Sequence, residues 1–141
     1  MSVRRVDHIG IAVPSLDEAR PFWEGALGLR FHPREELPDQ RVAVAMGQAG
    51  ETRIELLEPL DEGSPIARFL AGHRPGLHHI ALAVEDLEAA LARLRAAGAR
   101  LIDETPRPGA GGTRVAFVHP ASASGVLLEL VEGDTREISG G

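Results

Sequence analysis

The chain has no cysteine. Disulfides and thiolate metal sites are therefore excluded, and any metal must sit on imidazole, carboxylate, amide or water. Lysine is also absent, so all fifteen basic residues are arginine. No basic block occurs and the formal net charge is −6. That argues against nucleic acid, because phosphate binding needs basic residues clustered on one face. Arginine does suit two-point contacts to phosphate or carboxylate. No apolar run is long enough to cross a bilayer. The opening "MSVRRVDHIG" lacks the apolar stretch of a signal peptide, and Asp7 interrupts it. These absences lead us to expect a cytoplasmic protein with neither a nucleic-acid nor a membrane partner.

The 141 residues that are present are 43% hydrophobic, enough for one compact domain or two small modules sharing a core. The sequence suggests both at once, a single domain over 1–141 built of two modules. "HIGIAV" begins at His8 and "HIALAV" at His79, an offset of 71 (79 − 8). At that offset Val13 meets Val84, Leu16 meets Leu87 and Ala19 meets Ala90. Both copies read as an alternating strand, a short turn and an amphipathic helix. Ser15 and Asp86 stand where a helix N-cap is wanted. The first helix is expected over about 16–27, stopped by Gly28. Pro21 falls inside it and should remove a hydrogen bond or kink it. The second helix, "DLEAALARLRAAGA", should stop at Gly98.

Each half also ends alike, with "RIELLEP" and "LLELVEG". Glu55 meets Glu129 at an offset of 74 (129 − 55), and Glu58 meets Glu132. Strand candidates between these ends are "LRFHP" and "RVAVAM" in the first half, "ARLID" and "TRVAFVH" in the second. The expected fold is α+β: two β-α-β-β-β modules forming a cupped mixed sheet, with helices outside. Module 1 spans about 4–60, a linker helix about 64–72, and module 2 about 76–133. The tail "GDTREISGG" should be weakly tied.

His8 shares a strand face with Gly10 and Ala12, and His79 with Ala81 and Ala83. Small neighbours leave room beside each ring. Taken singly, a strand Glu faces solvent and a strand His is structural more often than either is a ligand. Duplication changes that weighing. Like modules folded into one curved sheet can bring His8, Glu55, His79 and Glu129 into the hollow. Two imidazoles and two carboxylates suit Zn, Co, Ni, Mn or Fe(II). In an octahedral site they would leave two positions for water or a chelating substrate.

The stretches "DHIGIAV", "IELLEPL", "SPIARFL", "GLHHIALAV", "RPGAGGTRVAFVHP" and "GVLLELVE" resemble the vicinal oxygen chelate superfamily over essentially the whole chain. More narrowly they resemble the methylmalonyl-CoA epimerases. The resemblance places metal ligands at His8, His79 and Glu129, with a fourth at Glu55, where some relatives have Gln. Of the adjacent histidines, strand parity and alignment both choose His79 over His78. The implied activity exchanges the 2R and 2S forms of methylmalonyl-CoA by proton removal and return through a metal-stabilised enolate. The implied cofactor is a divalent metal (Co, Ni, Mn or Zn), the implied partner is the acyl-CoA substrate, and the implied assembly is a homodimer.

Two departures stand out. Some relatives carry one of the two bases as a Glu where this chain has Val44, which takes no proton. The catalytic pair is therefore expected to be Glu129 and Glu55. Many relatives carry Lys where this chain has Ala121; Arg107, Arg114 and Arg74 are the candidates to substitute toward coenzyme A phosphates. "RPGAGGTR" lacks the Lys of a P-loop and reads as a flexible loop, or as a lid. His119 before Pro120 reads as a turn residue, and His32 and His73 as loop or surface residues. Two rival functions fit the same scaffold: a lactoylglutathione lyase of the glyoxalase type, and a non-catalytic module that binds a small ligand.

Overall fold

A computed structural model describes residues 3–133. The C-terminal tail expected to be weakly tied falls, from residue 134 on, outside the described residues. The described chain forms two compact units, residues 3–8 with 79–133, and residues 9–78. The first strand, β1 (Val3–Ala12), and the sixth, β6 (Gly76–Val84), each change unit along their length, β1 after His8 and β6 before His79. Among the described residues, no helix is long and apolar enough to cross a membrane.

The unit of residues 9–78 carries α1 (Leu16–Arg20), β2 (Arg30–Phe31), β3 (Glu35–Leu37), β4 (Val42–Ala49), β5 (Thr52–Pro59) and α2 (Pro65–Gly72). β4 pairs antiparallel with β5, and on its other side with β2 and β3. Helix α1 begins where the capping residues allow. Ser15 Oγ accepts from the Glu18 N–H at 3.2 Å, and Glu58 Oε1 accepts from the Leu16 N–H at 2.8 Å, satisfying donors that no helical carbonyl can reach. Pro21 then does what its ring requires. It has no N–H to give the preceding turn, and the chain passes into a π-helical turn over Pro21–Ala26. There the Leu27 N–H reaches the Phe22 carbonyl at 2.9 Å. The helix expected over 16–27 is thus α for one turn and π for the rest. Gly28, at φ +79°, ends it.

Side-chain alternation sorts this unit into two faces. Ala43, Ala45, Ile54 and Leu56 pack with Leu16, Ala19 and Trp23 under the helical segment. The opposite face carries Val44, Met46, Leu57 and Glu55, since Val44 is in register with Leu57, and Met46 with Glu55.

The other unit repeats the scheme. After β6 come α3 (Leu87–Ala96), β7 (Arg107–Pro108), β8 (Arg114–Val118) and β9 (Leu128–Glu132). β6 and β9 are parallel; β8 is antiparallel to β9 and to β7, so the sheet is mixed. Helix α3 is regular for its full length. Its residues are strong helix formers, Asp86 Oδ1 accepts from the Ala89 N–H at 3.0 Å, and Glu132 Oε2 accepts from the Leu87 N–H at 2.8 Å. Arg93 and Arg95 complement its C-terminal end, and Gly98 at φ +84° closes it. Leu87, Ala90 and Leu91 pack on Val84, Ala116, Val118 and Leu130. Ala81, Val115 and Val131 form a small cluster of their own.

One strand expectation and one loop expectation need correction. "ARLID" forms no strand; Leu101 makes a single bridge to Val118, and Asp103 turns its carboxylate back to accept from the Phe117 N–H at 2.8 Å. The segment "RPGAGGTR" is a built hairpin rather than a loose loop. It opens with β7, and the Gly109 N–H bonds the Thr113 carbonyl at 2.9 Å. Thr113 Oγ1 donates to the Ala110 carbonyl at 2.7 Å. A Cβ on Gly109 would stand 2.6 Å from Val115 Cγ1, so only glycine lets the loop lie this close to β8.

Candidate metal centre

Three of the four expected ligands meet in one unit. His8 leaves β1, His79 leaves β6 and Glu129 leaves β9, and all three are buried. Ala81 lies opposite Glu129 in the parallel pairing of β6 and β9; its single methyl group leaves the space that the rings and carboxylate fill. Phe117 lies opposite Glu129 on the other side and sets its ring edge-on to His79, with centroids 5.8 Å apart.

The donor atoms form a small triangle. His8 Nε2 stands 3.1 Å from His79 Nε2 and 3.1 Å from Glu129 Oε1, and His79 Nε2 stands 2.9 Å from the same oxygen. On its far side His8 Nδ1 donates to Asp7 Oδ2 at 2.8 Å. That bond puts the ring proton on Nδ1 and leaves the Nε2 lone pair facing the triangle. Three donor atoms from three strands converge on one buried point, the arrangement a shared cation would use. The size of the triangle fits one. Bonds of about 2.1 Å at right angles place neighbouring donors about 3.0 Å apart, against about 3.4 Å for a tetrahedral site. The three observed edges match an octahedral face.

Burial is the largest influence on the Glu129 carboxyl and pushes its pKa up. The charge of His8, the hydrogen bond with His79 and the charge of His79 outweigh that push. The group titrates at about 2 rather than 4.5. Glu129 is therefore an anion across the neutral range, as a metal ligand must be.

Glu55, the fourth expected ligand, is buried on β5 in the other unit. Its strand-face neighbours Val44 and Met46 are buried as well. His78 takes no part in the triangle; its ring packs edge-on against Phe69, centroids 5.0 Å apart. His119 is a turn residue as expected, Nδ1 accepting from the Ala121 N–H at 2.9 Å. His73 lies on the surface and packs on Phe69.

Sequence reasoning missed Asp7. It stood out only as a charge interrupting an apolar start, yet it is fully buried and orients His8. Its signal was its place directly before a candidate ligand. The repeat hid that signal, because His78 holds the matching position in the second half. The pair Glu58 and Glu132 was visible as a recurrence without a role. The structure gives both the same role, at the helix starts described above.

The family profile that matches the chain is that of the glyoxalase/bleomycin resistance protein/dioxygenase superfamily, over residues 7–117. An ethylmalonyl-CoA/methylmalonyl-CoA epimerase of Cereibacter sphaeroides is 43% identical over 130 residues, covering 91% of this chain and 97% of that protein. The crystal structure of a methylmalonyl-CoA epimerase from Mycobacterium tuberculosis superposes with a TM-score of 0.89 at 41% identity, covering 96% and 91% of the two chains. A methylmalonyl-CoA epimerase in complex with methylmalonyl-CoA and an ammonium ion superposes at 0.90, with 36% identity over 95% and 97%.

Proposed function

We propose a function from a fixed premise: the chain belongs to the glyoxalase/bleomycin resistance protein/dioxygenase superfamily. The reading is metal-dependent epimerisation of methylmalonyl-CoA. The observation that carries it is the buried triangle of His8, His79 and Glu129, with edges near 3 Å, in a chain whose relatives are named methylmalonyl-CoA epimerases.

His8, His79 and Glu129 would hold the cation, with Glu55, a buried carboxylate of matching position in the repeat, as the fourth ligand. The set suits Co, Ni, Mn or Zn. Such an ion would supply positive charge where the thioester oxygen becomes negative. The chain's own residues do the rest. The α-hydrogen of a malonyl thioester lies between two carbonyl carbons and is acidic. Glu129, as a carboxylate released from the ion, would take it from one face of the α-carbon, and Glu55, starting as the carboxylic acid, would give its own proton to the other; the reverse conversion exchanges the two roles. Epimerisation needs two such carriers because a single one would restore the starting configuration. Val44, buried beside Leu57 on the Glu55 face, offers no alternative carrier. The Ala81 and Phe117 side chains next to Glu129 keep water from competing for the proton. A cytoplasmic homodimer is part of the reading.

The test is to incubate each epimer in heavy water with the protein as purified, after chelation, and after metal is restored. Deuterium entry at the α-carbon and interconversion of epimers should both stop on chelation and return with metal. The hemithioacetal of methylglyoxal and glutathione, run in parallel, should not be turned over. Turnover of it in place of methylmalonyl-CoA refutes the proposal in favour of a glyoxalase-type lyase.

A further inference from the structure

The strand face that carries the donor triangle ends in a cation. Arg107 lies on β7 opposite Val115, Val115 lies opposite Val131 and Phe117 opposite Glu129. Residues directly paired, and residues two apart, share a face. Arg107, Phe117, Glu129 and His79 therefore stand on one side of the sheet in this unit. The guanidinium carbon of Arg107 is 5.5 Å from the centroid of the Phe117 ring, and that ring is 5.8 Å from His79. Two short steps connect the cation to a donor nitrogen of the centre.

Arg107 is also held without being used up. Among the described residues its one ion pair, Nε to Asp103 Oδ2, is long at 3.6 Å, and that carboxylate oxygen already accepts from the Phe117 N–H. Nε is buried and makes no hydrogen bond among the described residues. The side chain is 36% exposed, so its terminal groups reach open space. Other arginines differ: Arg114 is bound to Glu88 and Glu132, Arg34 to Glu58, and Arg20 to Glu24. An aromatic face orients Arg107 and leaves its planar pair of N–H groups to bind an outside anion at two points.

We infer that Arg107 is a specificity-determining residue that binds the free carboxylate of a carboxylated acyl thioester whose α-carbon sits at Glu129. The inference rests on the function proposed above. It selects the acyl carboxylate over the coenzyme A phosphates because the carboxylate is one bond from the α-carbon, whereas the long pantetheine arm separates the phosphates from it. A cation two ring contacts from the donor triangle matches the near group.

The test compares methylmalonyl-CoA with propionyl-CoA, which has the same coenzyme and lacks the carboxylate. Binding to the metal-loaded parent, Arg107→Gln, Arg107→Lys and Arg95→Gln, whose arginine pairs with Glu104, is measured by calorimetry, with metal content and thermal melting checked for each. Arg107→Gln should weaken methylmalonyl-CoA roughly 10- to 100-fold, the worth of a charged two-point contact, and propionyl-CoA by less than about threefold. KM should rise more than kcat falls. Arg107→Lys should recover part of the loss, and Arg95→Gln should match the parent. Equal weakening of both ligands would assign Arg107 to the coenzyme and overturn the inference, as would no weakening of either. A parent with no preference for the carboxylated ligand overturns it as well. If the parent prefers that ligand but does not interconvert its epimers, the proposed function fails while the role of Arg107 stands.

Discussion

Glu58 and Glu132 occupy matching places in the two halves and do matching work. Each accepts from the first helical N–H at 2.8 Å, and each also holds an arginine, Arg34 in one half and Arg114 in the other. The residues before the two histidines match in place only. Asp7 is buried and holds the Nδ1 of His8, while His78, its counterpart, packs on Phe69. A duplicated scaffold thus keeps its helix starts symmetric and lets the surroundings of its candidate ligands diverge. A helix start poses the same problem in any fold, a donor without a partner. A ligand's support depends on what else packs there.

The comparison breaks hardest at the ligands. His8→Ala and His79→Ala should each abolish bound metal and lower epimerisation by more than about 10³-fold, since losing one donor of a buried set undoes the site. Elemental analysis beside a turnover assay checks this, and full activity in either variant would reject the shared centre.

Next comes acid sensitivity of the metal-free chain. The Glu129 pKa is lowered in the fold, to about 2 from 4.5. Its contribution to stability is therefore complete above 4.5 and is lost as pH falls toward 2. Urea unfolding at a series of pH values should show stability falling through that window, and Glu129→Gln should flatten the fall. A slope unchanged by the substitution would mean that other groups carry the acid sensitivity.

Asp7→Asn sharpens the contrast between the halves. It keeps the shape and removes the charge that orients His8, and should weaken metal binding by about 10- to 100-fold. His78→Asn, at the matching position, should change metal affinity by less than about twofold. Similar losses from both would erase the asymmetry.

The smallest effects test the symmetric pair. Glu58→Gln and Glu132→Gln should each destabilise by about 1 kcal/mol, the ordinary worth of a capping contact with a helix dipole. Denaturant midpoints that differ widely between the two would show that the shared geometry conceals unequal energetics.

Much of the fold was legible in the sequence because the signals were local and occurred twice. Ser15 and Asp86 mark the helix starts, Gly28 and Gly98 the stops, and the alternation after His8 and His79 marks strands. Pro21 announced a break without saying which kind; its missing donor could have produced a kink, and the chain relaxed into a π turn instead. "ARLID" misled because β-forming residues need a partner edge, and here one bridge is all the pairing there is. Strand β7 escaped notice because a two-residue strand ending in proline carries no periodicity.

The sequence by itself determined the duplicated module, through letters repeated 71 and 74 residues apart, and the helix starts and stops, which depend on capping residues and glycines within one or two turns of chain; the candidate ligands it nominated through the repeat and the resemblance. Tertiary structure decided that His8 and His79 face each other at 3.1 Å, that Asp7 rather than a neutral neighbour sets the His8 tautomer, and that Arg107 lies over Phe117. Those are contacts between atoms set by strand register and pleat. Register is fixed by packing across the sheet, and no stretch of sequence read alone contains it.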